Sequence, residues 1–243
     1  MTIQATEALS VGDGIVAPNA SWTFGADVPK NFTDHVRRSV PMYDAGHDLI
    51  CQLSDFFVAD GSIGYEIGAS TGELIGKLAR HNAGKRAKWI GIDVEEGMIE
   101  HARASLADLK NVALEVGDAA LYDFEKSDMI VSYYCLQFVP PKRRQQVITK
   151  IYEALNWGGC FVLFEKVRAC DARFQDMMTA LYQEFKLQQS FSPAEIVAKS
   201  RSLKGVLEPF STQGNLDLLK RAGFVDVTSI MKYVCFEGFI AIK

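Results

Sequence analysis

Between residues 63 and 165 short apolar runs alternate with longer amphipathic stretches, the pattern of parallel strands joined by crossover helices. The first run, Ile63-Gly-Tyr-Glu-Ile67, ends at Gly68-Ala-Ser-Thr-Gly72, and a helical stretch follows to about His81. Ala87 to Asp93 reads as a second buried strand, Glu95 to Leu109 as a helix, Val112 to Val116 as a third strand and Ser127 to Ser132 as a fourth. Pro140 and Pro141 open a helix to Leu155, Asn156 to Gly159 turn it, and Cys160 to Glu165 forms a fifth strand. A helix from Asn215 to Ala222, closed by Gly223, precedes two closing strands, Val225 to Tyr233 and Val234 to Ile242, near enough to pair as a hairpin. The predicted fold is α/β: a Rossmann-like, doubly wound sheet of seven strands, mostly parallel with one antiparallel edge strand and helices on both faces.

The alternation fails at both flanks. Residues 1–20 are rich in Gly, Pro and Ser and read as a mobile arm, followed by the aromatic-rich stretch Trp22-Thr-Phe24 to Phe32. Ile50, Leu53 and Phe57 recur at helical spacing over Asp44 to Phe57, so residues 1–57 form an arm and helical lid. Residues 169–212 carry helical stretches with Met177, Met178, Leu181, Phe185 and Ile196 and no strand, the mark of a helical cap inserted into a single domain spanning 1–243.

The chain has 243 residues, 48% of them hydrophobic, enough for one sizeable core with an elaboration but hardly two domains. A formal net charge of -4 and the lack of a long basic tract argue against a nucleic-acid partner, with Lys142-Arg143-Arg144 read as a solvated helix start. Five cysteines, an odd number in no ligand-like spacing, fit reduced thiols in the cytoplasm and imply no metal. Met1 to Gly14 lacks the features of a secretory signal, and no apolar run reaches the roughly 18 residues of a membrane span.

The stretch Ile63 to Gly72 carries the first chemistry. Gly68 and Gly72 let the backbone turn and let a ligand approach it, and Glu66 sits where a carboxylate can steer that loop. The spacing Gly-x-x-x-Gly differs from the Gly-x-Gly-x-x-Gly of dinucleotide sites and suits an adenosyl ligand without phosphates. Gly68-Ala-Ser70-Thr-Gly72 also spells a hydrolase nucleophile elbow, but His35, His47, His81 and His101 all precede the position that a triad histidine requires. A plain structural turn is the other alternative. Three successive strand ends carry Gly68, Asp93 and Asp118: Asp93 is placed to accept from both ribose hydroxyls, and Asp118 from an adenine amino group. The fourth strand runs into Tyr133 and Tyr134, with Phe138 a turn on, and aromatic faces suit a sulfonium cation, although core packing also explains them.

This combination resembles the class I S-adenosylmethionine-dependent methyltransferases. From Trp22 onward the chain more narrowly resembles the carboxy-S-adenosylmethionine synthase family, through Arg38-Ser-Val-Pro41 with Tyr43, Tyr65 to Gly72, Gly117-Asp118, Leu136-Gln-Phe138, Glu165-Lys166 and Ala222-Gly-Phe224 among other pieces. The resemblance implies S-adenosyl-L-methionine bound by Tyr43, Gly68, Ala69, Ser70, Asp93, Val94, Asp118, Ala119 and Tyr133, a small-molecule substrate, and a cap shared with a partner subunit in a homodimer. Two positions depart from the family. Its carboxylate-binding arginine, which follows Lys199, is replaced by Ser200, leaving Arg201 one residue, about 100° of helix, away as the candidate substrate-binding group. A polar side chain gives way to Tyr133. The expected activity is methyl transfer, with Tyr134, Phe138 and Tyr182 as candidate catalytic residues. The alternatives are cyclisation of S-adenosylmethionine to azetidine-2-carboxylate, carboxy-S-adenosylmethionine synthesis, and cofactor binding without turnover.

Overall fold

The computed structural model describes residues 8–25 and 28–243. Its centre is a seven-stranded sheet in the order β5-β4-β3-β6-β7-β9-β8. The strands are β3 (Ile63–Ile67), β4 (Lys88–Asp93), β5 (Val112–Val116), β6 (Ser127–Tyr133), β7 (Leu155–Lys166), β8 (Asp226–Tyr233) and β9 (Phe236–Ile242). Five pair in parallel, and antiparallel pairing is confined to one side, where β9 lies between β7 and β8. The helices α2 (Tyr43–Phe57), α3 (Glu73–His81), α4 (Glu96–Ser105), α5 (Pro141–Ala154) and α8 (Thr212–Ala222) stand close to their predicted bounds.

Strand residues point alternately to two apolar layers, so each central strand is buried on both faces. On β7, Cys160, Val162 and Phe164 join the layer under α2, α3 and α4, while Phe161 and Leu163 join the one under α5 and α8. Phe161 and Phe164 are fully buried, each worth roughly 1.5–3 kcal/mol of burial.

The flanks differ from expectation. Residues 1–7 of the predicted arm lie outside the described residues, and the rest of it contains a hairpin, β1 (Leu9–Gly12) and β2 (Ile15–Ala17). An extra helix, α1 (Val28–Ser39), precedes α2. In the cap, α6 (Ala172–Gln188) starts at Asp171, whose carboxylate accepts from the Phe174 N–H, and α7 (Pro193–Ser202) starts with a Ser192–Glu195 capping box. The hairpin, Trp22 and Val28 pack with Ala198 of α7 and Met98 of α4 in a small third core. The Ala20 and Trp22 N–H groups donate to the Arg201 and Ser202 carbonyls.

Candidate functional site

In this strand order β4 and β5 run to one side of β3, and β6 and β7 to the other. The C-terminal ends of β3 and β6 therefore flank the switch point where open α/β sheets bind ligands. A cavity of about 850 Å³ lies there, roofed by Trp22, Phe24 and α1 on one side and by α6 and α7 on the other.

The loop after β3 forms its floor. Gly68 (φ 75°) donates through its N–H to the Ile92 carbonyl at 2.8 Å, and a Cβ on it would collide with the Cys135 thiol. Ser70 is also left-handed (φ 49°), held by its N–H donating to Asp93 Oδ2 at 2.9 Å. Asp93 Oδ1 accepts the Glu95 N–H at 3.0 Å, so the carboxylate shapes two loops as well as facing the cavity. Burial raises its pKa. Among the described residues the partner of the Ser70 hydroxyl is Met98 Sδ, at 3.5 Å, and not a histidine, which counts against the nucleophile-elbow alternative. Asp118 Oδ2 accepts from Arg143 at 2.8 Å, and its Oδ1 from the Ala120 N–H. Val94 is exposed at the mouth, while Ala119 is buried in the wall.

The aromatic residues form a connected arc. Ring centroids run from Tyr43 to Tyr133 (5.3 Å), Tyr133 to Tyr134 (4.7 Å), Tyr134 to Phe236 (5.7 Å) and Phe236 to Tyr182 (5.2 Å). Tyr182 closes it from α6, its hydroxyl donating to the Ser39 carbonyl at 2.9 Å. Phe138 belongs to the opposite wall, edge-on to Phe24 at 4.9 Å. The Tyr133 hydroxyl donates to the Tyr43 carbonyl at 2.7 Å, so this residue offers the cavity its ring.

The titratable groups are unusual. Glu66 is wholly buried with Oε2 unpartnered, and desolvation, with Asp93 and Glu73 nearby, pushes its carboxyl well above the usual range. Glu73 accepts from Arg37 at 2.6 Å. Lys166, Lys186 and Lys199, to which the sequence reading gave no site role, line the cavity, and burial lowers all three, Lys186 to about 8. Arg201 is exposed and does not line the cavity; Ser200 does. Arg144 corrects the solvated reading of the basic triplet. It is 2% exposed and donates to the carbonyls of Val139, Gln137 and Glu208.

Comparison with known proteins decides the family. A family described as a methyltransferase domain matches residues 65–159. A carboxy-S-adenosyl-L-methionine synthase of Staphylococcus epidermidis is 35% identical over 224 residues, 91% of this chain and 97% of that one. The chain belongs to the carboxy-S-adenosyl-L-methionine synthase family. A synthase of Campylobacter lari is 34% identical over 90% of this chain and 94% of its own. Among solved structures, the apo S-adenosylmethionine-dependent methyltransferase SibL aligns with a TM-score of 0.60 at 17% identity, covering 82% of this chain and 55% of its own. Human N-acetylserotonin methyltransferase in complex with SAM gives 0.62 at 14%, covering 89% and 56%.

This member of the synthase family is therefore a class I, S-adenosylmethionine-dependent transferase. The cavity fits that ligand: the cradle at Gly68 has no room for a Cβ, Glu66 lines it with one carboxyl oxygen left without a partner, and π surfaces suit a sulfonium. Among the described residues no helix is long and apolar enough to cross a membrane and no group of His, Cys, Asp or Glu is arranged to hold a metal; all five cysteines are free.

Proposed function

We propose that this enzyme uses S-adenosylmethionine as its own substrate, the neutral α-amine attacking the γ-carbon to form azetidine-2-carboxylate while the carbon–sulfur electron pair leaves with methylthioadenosine. The carrying observation is the charge of the cavity. The carboxyls near the Gly68 loop are neutral or taken: Glu66 is pushed toward its neutral form, Glu73 is paired with Arg37, Asp118 with Arg143, and both Asp93 oxygens accept backbone N–H groups, of Ser70 and Glu95. Three lysines face the same space. A desolvated enclosure with no free carboxylate set against the amine disfavours an ammonium and favours the free amine that ring closure needs. The Tyr43–Tyr182 arc supports the reading by offering π faces to the sulfonium and restricting the methionyl chain to folded shapes.

The cavity volume favours a second reading, methyl transfer to a small acceptor, because about 850 Å³ is at the upper end of the roughly 300–1,000 Å³ of ligand pockets. Synthesis of the carboxylated cofactor, the activity in the relatives' names, has less support because Ser200 replaces the arginine and Arg201 points out. Incubation with S-adenosylmethionine alone, followed by mass spectrometry, separates them. Ring closure gives methylthioadenosine and azetidine-2-carboxylate with nothing added. Turnover that waits for an acceptor would sink that reading in favour of methyl transfer, carboxylated cofactor on adding prephenate would restore the relatives' activity, and binding without turnover would mark a regulator.

The same reading takes the chain as one domain with lid 1–57 and cap 169–212, acting in the cytoplasm as a homodimer. Phe174, Met177 and Leu181, exposed along α6, are the apolar face available for that contact. Light scattering at twice the mass of the chain is the expected result, and a monomer at micromolar concentration would exclude the dimer.

A further inference from the structure

Among the described residues, no acidic side chain pairs with the lysines on the cap side of the cavity. Lys186 of α6 and Lys199 of α7 are 7% and 9% exposed, and Lys166 at the end of β7 is half-buried. Among the described residues, their ammonium groups meet aromatic faces in place of carboxylates. Lys166 and Lys186 lie 4.2 and 4.9 Å from the Tyr182 ring centroid, and Lys199 lies 2.7 Å from that of Trp22. Asp13, the acid that acts on Lys199, is already bonded to Arg38 and His35. The cations also act on one another: Lys166 lowers the pKa of Lys186, and Lys186 that of Lys199. Burying a charge without a counter-charge is costly, so such a wall is destabilising in the free protein and would be relieved by a bound anion.

We propose that Lys186 and Lys199, with Lys166 as a third cation, form a carboxylate-binding subsite on the cap side of the cavity. Three separate elements, β7, α6 and α7, converge on it, so its geometry is set by closure of the cap over the sheet. Two sources supply that chemistry: the α-carboxylate of S-adenosylmethionine itself, or the carboxylate of a separate substrate. The inference rests on the cofactor occupying this cavity and not on the reaction that follows, so it is read by binding.

The test is calorimetry of the wild type, Lys186→Met and Lys199→Met with S-adenosylmethionine and with its decarboxylated analogue, plus melting of the cofactor-loaded proteins in malonate. If the lysines hold the cofactor's carboxylate, the wild type binds the decarboxylated analogue at least tenfold more weakly. Each methionine variant then loses about tenfold toward S-adenosylmethionine and nothing toward the analogue. If they hold a separate carboxylate, both cofactors bind alike, and malonate raises the melting temperature of the loaded wild type but not of the variants. Lys186→Arg should retain wild-type behaviour in either arm. Equal binding of both cofactors by the wild type, with no malonate shift, overturns the subsite, and needs no variant to fold. Failure to form methylthioadenosine would end the ring-closure reading and leave these binding results standing.

Discussion

The hydroxyl of Tyr133 turns away from the cavity to bond the Tyr43 carbonyl, and the room it occupies exists because residue 46 is glycine. A Cβ at that position would run into the hydroxyl and its ring carbon, so the two residues act as a pair. Gly46→Ala should cost about 1–3 kcal/mol of stability by overpacking, and adding Tyr133→Phe should recover part of the loss. Thermal denaturation of the single and double variants checks this, and strictly additive losses would refute the coupling. At this scale the sequence revealed Gly68, Asp93 and Asp118, because strand ends fix where such residues lie. It could not reveal Arg144, Lys186 or Lys199. A charged residue on a helix reads as solvated unless the partner elements are known, and theirs come from distant parts of the chain.

The turn between β6 and α5 is an interlocked element. Tyr134, left-handed at φ 56°, has its N–H donating to the Phe164 carbonyl at 2.8 Å, and its own carbonyl accepts from Gln137 Nε2 at 3.1 Å. Gln137 Oε1 accepts the Lys166 N–H at 2.8 Å. Beside it Glu165 is wholly buried; desolvation raises its carboxyl to about 8, against the opposing pull of Arg144 and of the Gln137 and Leu136 N–H groups. Between its unfolded value, about 4.5, and 8 the folded protein binds the extra proton, so this group's contribution to stability falls as pH rises through that window. Glu165→Gln should flatten that decline, and denaturant melts at pH 5 and 8 measure it. An unchanged pH slope would contradict the assignment. The elements from β3 onward were legible because each buried strand is a compact apolar run between turn residues. The β1–β2 hairpin was not, since its strands are four and three residues long. Helix α1 escaped because Val28, Phe32 and Val36 are diluted by polar neighbours, and its buried side depends on Trp22 stacking on His35 and Phe191 meeting it edge-on.

Across the whole molecule, the binding cavity is assembled from segments far apart in the chain. The sheet supplies the floor through β3, β4 and β6, while Trp22, Phe24, α1, α6 and α7 supply the roof. A doubly wound sheet was predictable from the alternation alone, but a roof made by packing Trp22, Phe24 and α1 against residues 172–202 was not, because neither part has a period that names its partner. The Tyr182 hydroxyl on the Ser39 carbonyl ties the two halves of that roof together. Such a bond is worth about 0.5–1.5 kcal/mol, so Tyr182→Phe should speed release of methylthioadenosine roughly two- to tenfold in stopped-flow measurements. An unaltered rate would show that the roof opens elsewhere. A closed roof also has a temporal meaning. Whatever is formed inside must wait for two distant stretches of chain to part, so turnover would be paced by departure, and the first catalytic cycle should run ahead of those that follow.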